Sequence, residues 1–211
     1  MTIKVSTRVS RVPKVYLAGP EVFLDNALEV GQQKKAICAA NGLEGLFPLD
    51  KEINGANKSP EDLAQAIYEA NIGLMLRADL LIANITPFRG PSMDVGTAFE
   101  IGFCAARKLP VFAYANVSAS LTTRVPVEEA RPAPAPSRLL DSDGMEIENF
   151  GFFENLMIEV PVRLSGGGVI AVDVPPGERF TNLSNFERAV RRAAEAVGSG
   201  SRGLLRSRIH S

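Results

Sequence analysis

The first half of the chain alternates short apolar segments with longer segments of helical pattern. Four apolar runs with the length of strands are separated by three stretches in which apolar residues recur at helical spacing. Such alternation is typical of a parallel sheet covered by helices on both faces. The pattern predicts a doubly wound α/β fold, with strands at Lys14–Ala18, Leu46–Asp50, Asp79–Ile85 and Pro110–Tyr114 and helices at Asn26–Ala40, Pro60–Arg77 and Val95–Lys108.

The second half of the chain has a less regular pattern. Residues 121–143 are rich in proline and predict a surface insertion that is partly disordered. Beyond it we expect a helix within residues 151–160, a short strand within 169–174 and an amphipathic helix over 184–197. We therefore expect one domain over residues 14–197, with flexible ends at 1–13 and 198–211.

Composition excludes several classes of function. The net charge is −1 and 45% of the residues are hydrophobic, so the chain can form a core and has no charge excess that favours nucleic acid or a membrane surface. No apolar run approaches the roughly 20 residues of a membrane span, and the polar N-terminus lacks the apolar segment of a secretory signal. These features predict a cytoplasmic protein.

Few residues in the sequence are suited to holding a metal or a redox group. The one histidine, His210, lies next to the end of the chain, and the two cysteines, Cys38 and Cys104, lie in apolar helical contexts typical of reduced core thiols. We expect no metal and no cofactor. Catalysis, if present, must depend on carboxylates, hydroxyls and amides.

Residues 84–102 contain the strongest candidate for chemistry. Pro87, Gly90 and Pro91 break the chain after a strand, and Asp94 is placed to cap the helix that follows. Glu100 is the only charged residue between Val95 and Ala106. A lone glutamate on a helix is usually exposed, but its apolar neighbours and the space left by Gly96 also fit a carboxylate that is partly desolvated and open to a small ligand.

Several short motifs together resemble the nucleoside 2-deoxyribosyltransferase family. They are Tyr16–Pro20 with Phe23, Phe47–Asp50, Ala78-Asp79, Asp94–Gly102 and Asn155–Met157, so the resemblance covers residues 14–114 and a segment near Asn155. It implies a flavodoxin-like, Rossmann-like three-layer sandwich. It also implies a cofactor-free exchange in which Glu100 attacks C1′ of a 2′-deoxynucleoside, the base leaves, and a second base attacks the deoxyribosyl ester.

The resemblance assigns roles to further residues of this chain. Tyr16 matches the tyrosine that orients the nucleophile, and Asp94 matches the aspartate that binds sugar hydroxyls. Phe23 would line the base pocket. Gly19 ends a strand at the carboxyl edge of the predicted sheet, where α/β proteins bind ligands. Simple roles in packing and capping remain open for Tyr16, Phe23 and Asp94.

Two further matches involve assembly and base contact. Asn155 and Met157 match a segment that enters the site of a neighbouring subunit, so the resemblance implies a homo-oligomer in which Asn155 hydrogen-bonds the sugar 5′-hydroxyl. Asn71 stands where some members have an aspartate that contacts the base, and Glu52 stands near a position where some have an amide. An amide does not release a proton as an acid does, so the sequence assigns no proton donor for the leaving base.

Two other functions compete with base exchange. A 2′-deoxynucleoside 5′-monophosphate N-glycosidase needs a phosphate pocket. Asp94 opposes this function, because a carboxylate repels phosphate, whereas Arg89 is the one nearby cation that favours it. A non-catalytic nucleoside-binding module on the same fold would have no need for both Tyr16 and Glu100.

Overall fold

The computed structural model describes residues 11–50, 53, 55–131 and 138–206. Within these residues the strands are β1 (Lys14–Ala18), β2 (Glu44–Leu46), β3 (Leu80–Asn84), β4 (Val111–Ala115), β5 (Glu129–Arg131), β6 (Arg138–Leu140), β7 (Glu146–Ile147) and β8 (Val169–Ala171). The helices are α1 (Ala27–Ala40), α2 (Pro60–Arg77), α3 (Val95–Ala106), α4 (Leu121–Arg124), α5 (Leu156–Leu164) and α6 (Ser184–Arg206).

Five of the strands form one parallel sheet in the order β2-β1-β3-β4-β8. The chain first adds a strand on one side of β1 and then continues on the other, which makes the edge between β1 and β3 the topological switch point of a doubly wound sheet. The predicted fold class is therefore confirmed. Ligands bind at this carboxyl edge in open α/β sheets.

Helices cover both faces of the sheet and create two cores. Because successive residues of a strand point to opposite faces, Tyr16 and Ala18 pack under α2, α3 and α5, whereas Val15 and Leu17 pack under α1 and α6. In the parallel register Tyr16 is paired with Leu46 and Leu81. This register places the Tyr16 side chain below the helices that follow β2 and β3.

The two helices nearest Tyr16 begin at the predicted caps. The Ser59 side chain accepts a hydrogen bond from the backbone N–H of Asp62 at the start of α2. Asp94 does the same for the N–H of Thr97 at the start of α3. Each side chain satisfies a backbone donor that the first helical turn leaves free, so both helix starts are fixed by local sequence.

The predicted second strand is displaced. β2 ends at Leu46, and Pro48–Asp50 forms a short 3₁₀ turn in place of extended chain. Pro48 has no N–H for a ladder, and the Asp50 carboxylate accepts the N–H of Phe47 and closes the turn. The predicted strand Leu46–Asp50 therefore shares only Leu46 with β2 and was wrong at both ends.

The insertion also differs from the expected disordered excursion. Its ends form α4 and, together with Glu146–Ile147, a three-stranded antiparallel sheet in the order β5-β6-β7. Residues 132–137, between β5 and β6, lie outside the described part of the chain. Pairing of β5 with β6 overrides the proline-rich composition near β5.

The last two helices have bounds that differ from the predicted ones. α5 begins at Leu156 and not in the expected segment 151–155, because Asn155 caps it and the Glu159 carboxylate accepts the N–H of Phe153 and Glu154. α6 continues to Arg206, into the segment expected to be a flexible tail. None of the helices in the described residues is long and apolar enough to cross a membrane.

Candidate active site

Tyr16 and Glu100 meet on the face of the sheet that is covered by α2 and α3. The Tyr16 hydroxyl donates a hydrogen bond of 2.5 Å to Oε1 of Glu100. Tyr16 is fully buried in β1, and Glu100 is half-buried on α3. A carboxylate held in this way has one oxygen fixed by the protein and the other free to react.

The protonation of the pair follows from its burial. Burial raises the pKa of Glu100 to about 7; the hydrogen bond from Tyr16 lowers this pKa, and the negative charge of Asp94 raises it. Burial, with the neighbouring Glu100 carboxyl, also raises the pKa of Tyr16, so its hydroxyl remains a donor at neutral pH. A carboxyl with a pKa near neutrality in a partly open position is typical of a reactive group.

The side of α3 that carries Glu100 faces α2. Phe99, the residue before Glu100, has its ring 6.2 Å from the ring of Tyr68 on α2. Further along α3, Arg107 donates to the backbone carbonyls of Met75 and Leu76 near the end of α2. Glu100 therefore lies at the seam between α2 and α3, with Tyr68 and Phe99 half exposed above it.

Asp94 lies at the start of the same helix and has a structural role there. Its Oδ2 accepts hydrogen bonds from the backbone N–H and the hydroxyl of Thr97, both at 2.9 Å. A β-carbon at Gly96 would lie 3.1 Å from this oxygen, so the missing side chain keeps the carboxylate accessible. Oδ1 of Asp94 has no hydrogen-bond partner among the described residues and is available to a ligand.

The predicted base-contacting residues are spread around this seam. Asn71 follows Tyr68 by three residues, which places both on one side of α2; it is half-buried, and its side chain has no hydrogen bond within the described residues. Phe23 is 56% exposed and its ring stacks on Phe88, with the ring centroids 5.4 Å apart. Glu52 lies outside the described residues.

A buried ion pair that the sequence did not predict lies beneath the loop after β1. Glu21 and Lys34 are both fully buried and lie 2.8 Å apart. Oε1 of Glu21 also accepts hydrogen bonds from Tyr114 and Asn84. Burial alone would raise the pKa of Glu21, but the charge of Lys34 and these hydrogen bonds lower it on balance. The pair joins α1, β3 and β4 to the turn that carries Phe23.

Gly19 is explained by the same pair. A β-carbon at Gly19 would lie 2.1 Å from Oε2 of Glu21 and 2.8 Å from Cβ of Asn84. Glycine is required here mainly because the backbone passes close to Glu21 and Asn84, and less because of a contact with substrate. No sequence pattern signals the pair, because a lysine within a helix is usually an exposed residue.

Asn155 caps α5 and Met157 lies in its first turn, whereas the other end of α5 lines a cavity on the side of α3 away from Glu100. Ala105, which lines a cavity with the α5 residues Pro161 and Leu164, is five positions beyond Glu100 and so about 140° away around α3. Asn155 caps α5 and its amide donates to Glu148 at 2.7 Å, whereas Met157 is exposed. Within the described residues no hydrogen bond joins either residue to Glu100 of the same chain.

Buried Glu154 fixes the segment that carries Asn155. Its carboxylate accepts hydrogen bonds from Ser92, the N–H of Met93 and Arg124. Arg124 also donates to the carbonyl of Pro91. The start of α5 is thereby tied to the loop that precedes α3, so the relative placement of Asp94 and Asn155 is rigid.

Comparison with known proteins gives one family. The family model for nucleoside 2-deoxyribosyltransferase matches residues 15–157. An uncharacterized protein of Schizosaccharomyces pombe is 32% identical over 182 residues, which cover 81% of this chain and 86% of that protein. The solved structure of 2-desoxiribosyltransferase from Leishmania mexicana superimposes with a TM-score of 0.61 at 26% identity, and covers 87% of this chain and 97% of its own.

Proposed function

The chain belongs to the nucleoside 2-deoxyribosyltransferase family, and on this basis we propose that it transfers the 2-deoxyribosyl group between nucleobases of 2′-deoxynucleosides, with Glu100 as the nucleophile. The observation that carries the proposal is the Tyr16–Glu100 hydrogen bond. It orients a half-buried carboxylate while one carboxylate oxygen stays free to attack C1′.

The proposed reaction has two displacement steps. In the first, an oxygen of ionised Glu100 forms a bond to C1′ and the bond from C1′ to the base nitrogen breaks, so the departing base takes the electron pair and gains a proton from water. In the second, a nitrogen of another base attacks C1′, loses its proton and releases the Glu100 carboxylate. Two inversions restore the original anomer, as in retaining glycosidases.

The other residues have proposed roles around these steps. Tyr16 donates to Glu100 throughout and so positions it without losing its own proton, since its pKa is raised. Asp94 offers its unpartnered oxygen to a sugar hydroxyl. Phe23 provides an exposed ring for the base, and Asn71 an amide for the base edge. These roles require no metal or organic cofactor.

We infer that the site is completed by a neighbouring subunit. Asn155 has no hydrogen bond to Glu100 of its own chain within the described residues, so we place it in the site of a neighbouring subunit. The carbonyl oxygen of Asn155 is used by its helix cap, whereas its amide can exchange Glu148 for a sugar hydroxyl. The assembly we propose is a homo-oligomer.

An exchange assay tests the function. The protein is incubated with a 2′-deoxynucleoside and a different free base, and the products are separated by chromatography. We expect a new 2′-deoxynucleoside. Free deoxyribose without a new nucleoside would indicate a hydrolase instead, and no reaction with any base would contradict the proposal.

The nucleophile is tested separately. A slowly exchanging substrate should leave a deoxyribosyl adduct on the peptide that contains Glu100, detected by mass spectrometry. Glu100→Gln should keep the fold and lose exchange by several powers of ten, because the amide does not form the ester. An adduct on another residue, or full activity of Glu100→Gln, would show that Glu100 is not the nucleophile.

A further inference from the structure

An arginine and three aromatic rings cluster at the carboxyl edge of the sheet. The ring of Phe23, after β1, stacks on the ring of Phe88, after β3, with 11° between the planes. Phe180, after β8, meets Phe88 edge-on at 5.9 Å. The guanidinium of Arg89 lies 5.0 Å from the centre of the Phe23 ring and 4.6 Å from that of Phe88.

Arg89 is held by these rings alone. Within the described residues its guanidinium has neither an ion pair nor a hydrogen bond, although the side chain is exposed at the site edge. Arg124, at the end of α4, differs because it donates to the carbonyls of Pro91 and Ala119 and to Glu154. Arg124 is therefore a structural residue, whereas the N–H groups of Arg89 are free for a ligand.

The backbone of Arg89 also departs from ordinary geometry. Its φ is 56°, in the left-handed region that residues other than glycine seldom adopt. Such a conformation costs free energy and is more common at functional positions than elsewhere. In this loop it allows the side chain to lie against Phe88, its own neighbour in sequence, and against Phe23 from another loop.

We propose that Arg89 determines specificity for the nucleobase and favours 6-oxopurines over 6-aminopurines. The proposal rests on the proposed function, in which Phe23 provides the face for the base. A guanidinium packed on aromatic rings keeps its N–H donors at its edge, in a planar fork. A base that stacks on the exposed part of Phe23 brings its own edge toward that fork.

The discrimination follows from the pattern of donors and acceptors. A 6-oxopurine such as hypoxanthine presents two adjacent acceptors, O6 and N7, which match two N–H donors of one arginine. Adenine presents N7 beside an amino group, so a donor of Arg89 would face another donor. A paired contact of this kind discriminates between bases by roughly 5- to 150-fold.

Competition between two bases measures this preference directly. Equal concentrations of hypoxanthine and adenine are supplied with 2′-deoxyguanosine as donor, and the initial ratio of the two new nucleosides gives the ratio of their kcat/KM values. For the wild type we expect hypoxanthine to be favoured. For Arg89→Ala the ratio should fall by about tenfold to hundredfold. For Arg89→Lys it should fall almost as far, because lysine keeps the charge without the fork.

Arg179 supplies a matched control. It is also exposed at this edge, and its side chain has no ion pair within the described residues, but it stacks on no ring. Arg179→Ala should leave the ratio unchanged. If Arg89→Ala leaves the ratio unchanged, or if Arg179→Ala changes it equally, the assignment of Arg89 is wrong. The proposed exchange activity would still stand, because both variants would continue to exchange bases.

Equilibrium binding provides a readout that does not depend on turnover. Calorimetric titration of hypoxanthine and adenine into wild type and Arg89→Ala should show the same loss of preference, even if no new nucleoside forms. Titration of a 2′-deoxynucleoside 5′-monophosphate tests whether Arg89 binds a phosphate instead of the base. If Arg89→Ala weakens binding of the monophosphate and leaves the base preference intact, Arg89 is a phosphate residue and the proposal is wrong.

Discussion

The hydroxyl of Tyr16 and the carboxylate of Glu100 are joined by a 2.5 Å hydrogen bond between residues 84 positions apart in sequence. The bond connects β1 with α3 and therefore exists only when β1 and β3 are paired. The same packing that completes the sheet desolvates Glu100. Folding and preparation of the proposed nucleophile are therefore one event.

We predict that exchange depends on ionisation of Glu100. Its pKa is raised to about 7 by burial, and only the carboxylate attacks C1′. The value of kcat/KM should therefore rise about tenfold per pH unit below pH 7 and level off above it. A pH profile of exchange from pH 5 to 9 is the measurement, and a rate that stays flat through neutrality would contradict it.

We predict that Tyr16→Phe shifts this profile toward higher pH. The Tyr16 hydroxyl stabilises the ionised form of Glu100, so its removal should raise the pKa of the carboxyl further. Phenylalanine keeps most of the buried ring, which limits the loss of packing. A lower plateau with no shift of the pH midpoint would mean that Tyr16 acts on geometry and not on ionisation.

We predict that Glu100→Gln is more stable than the wild type at pH 8. The pKa of Glu100 rises from 4.5 in the unfolded chain to about 7 when folded, so its protonated form favours folding and this stability is lost as pH increases through about 7. The shift corresponds to at most about 3 kcal/mol, since one unit is about 1.4 kcal/mol. Thermal unfolding at pH 5 and pH 8 should show the two proteins diverging at the higher pH.

We predict that removing one charge of the Glu21–Lys34 pair destabilises the fold more than removing both charges together. Lys34→Met leaves the buried Glu21 carboxylate without its cation and should cost about 3–5 kcal/mol. The double variant Glu21→Gln, Lys34→Met removes both charges and keeps acceptors for Tyr114 and Asn84, so it should be more stable than Lys34→Met alone. Urea denaturation of the wild type, Glu21→Gln, Lys34→Met and the double variant measures the difference. Additive losses would mean that the two charges do not interact.

The sequence predicted elements whose signals are local. The bounds of β1 and α2 agree with expectation because an apolar run and a Ser59-Pro60 cap define them without reference to the rest of the chain. Asp94 was predicted as a cap for the same reason. The end of β2 and the sheet β5-β6-β7 were missed, because side-chain closure by Asp50 and pairing between distant strands leave no periodic pattern.

For the candidate site, too, the sequence predicted some residues and missed others. The resemblance named Tyr16 and Glu100, and the structure places them in contact. The pair of Glu21 and Lys34 was missed, because a charge in a sequence does not reveal whether it is buried. The stack of Arg89 on Phe23 was also missed, since it depends on the relative placement of two loops that 65 residues separate.

We predict that 2′-deoxynucleosides are preferred over ribonucleosides. Near Glu100 on α3, Gly96, Phe99 and Phe103 have no side-chain donor or acceptor for a 2′-hydroxyl, and the hydroxyl of Thr97 is buried and bonded to Asp94. An unpaired buried hydroxyl costs about 1–3 kcal/mol, or roughly 5- to 150-fold in rate. Parallel assays of adenosine and 2′-deoxyadenosine give the ratio, and equal turnover would refute the prediction.

We predict that subunits associate through exposed apolar side chains on α3 and α5. Val95 and Leu164 are more than 80% exposed, and Met157 is 69% exposed. Exposed apolar side chains mark an interface between chains when they lie together on one surface. A two-fold contact at this surface would bring the start of α5 of each subunit toward α3 of its partner.

Complementation tests whether sites are shared. Glu100→Ala removes the proposed nucleophile, and Asn155→Ser removes the amide while it keeps a cap for α5. In a mixed dimer, the subunit with intact Glu100 receives an intact Asn155 from its partner, so random mixing in equal amounts should restore about a quarter of wild-type sites. A mixture of Glu100→Ala with Glu100→Gln is the control and should stay inactive. If subunits exchange and activity does not exceed that of either parent, or if the wild type is active as a monomer, Asn155 does not complete a neighbour's site.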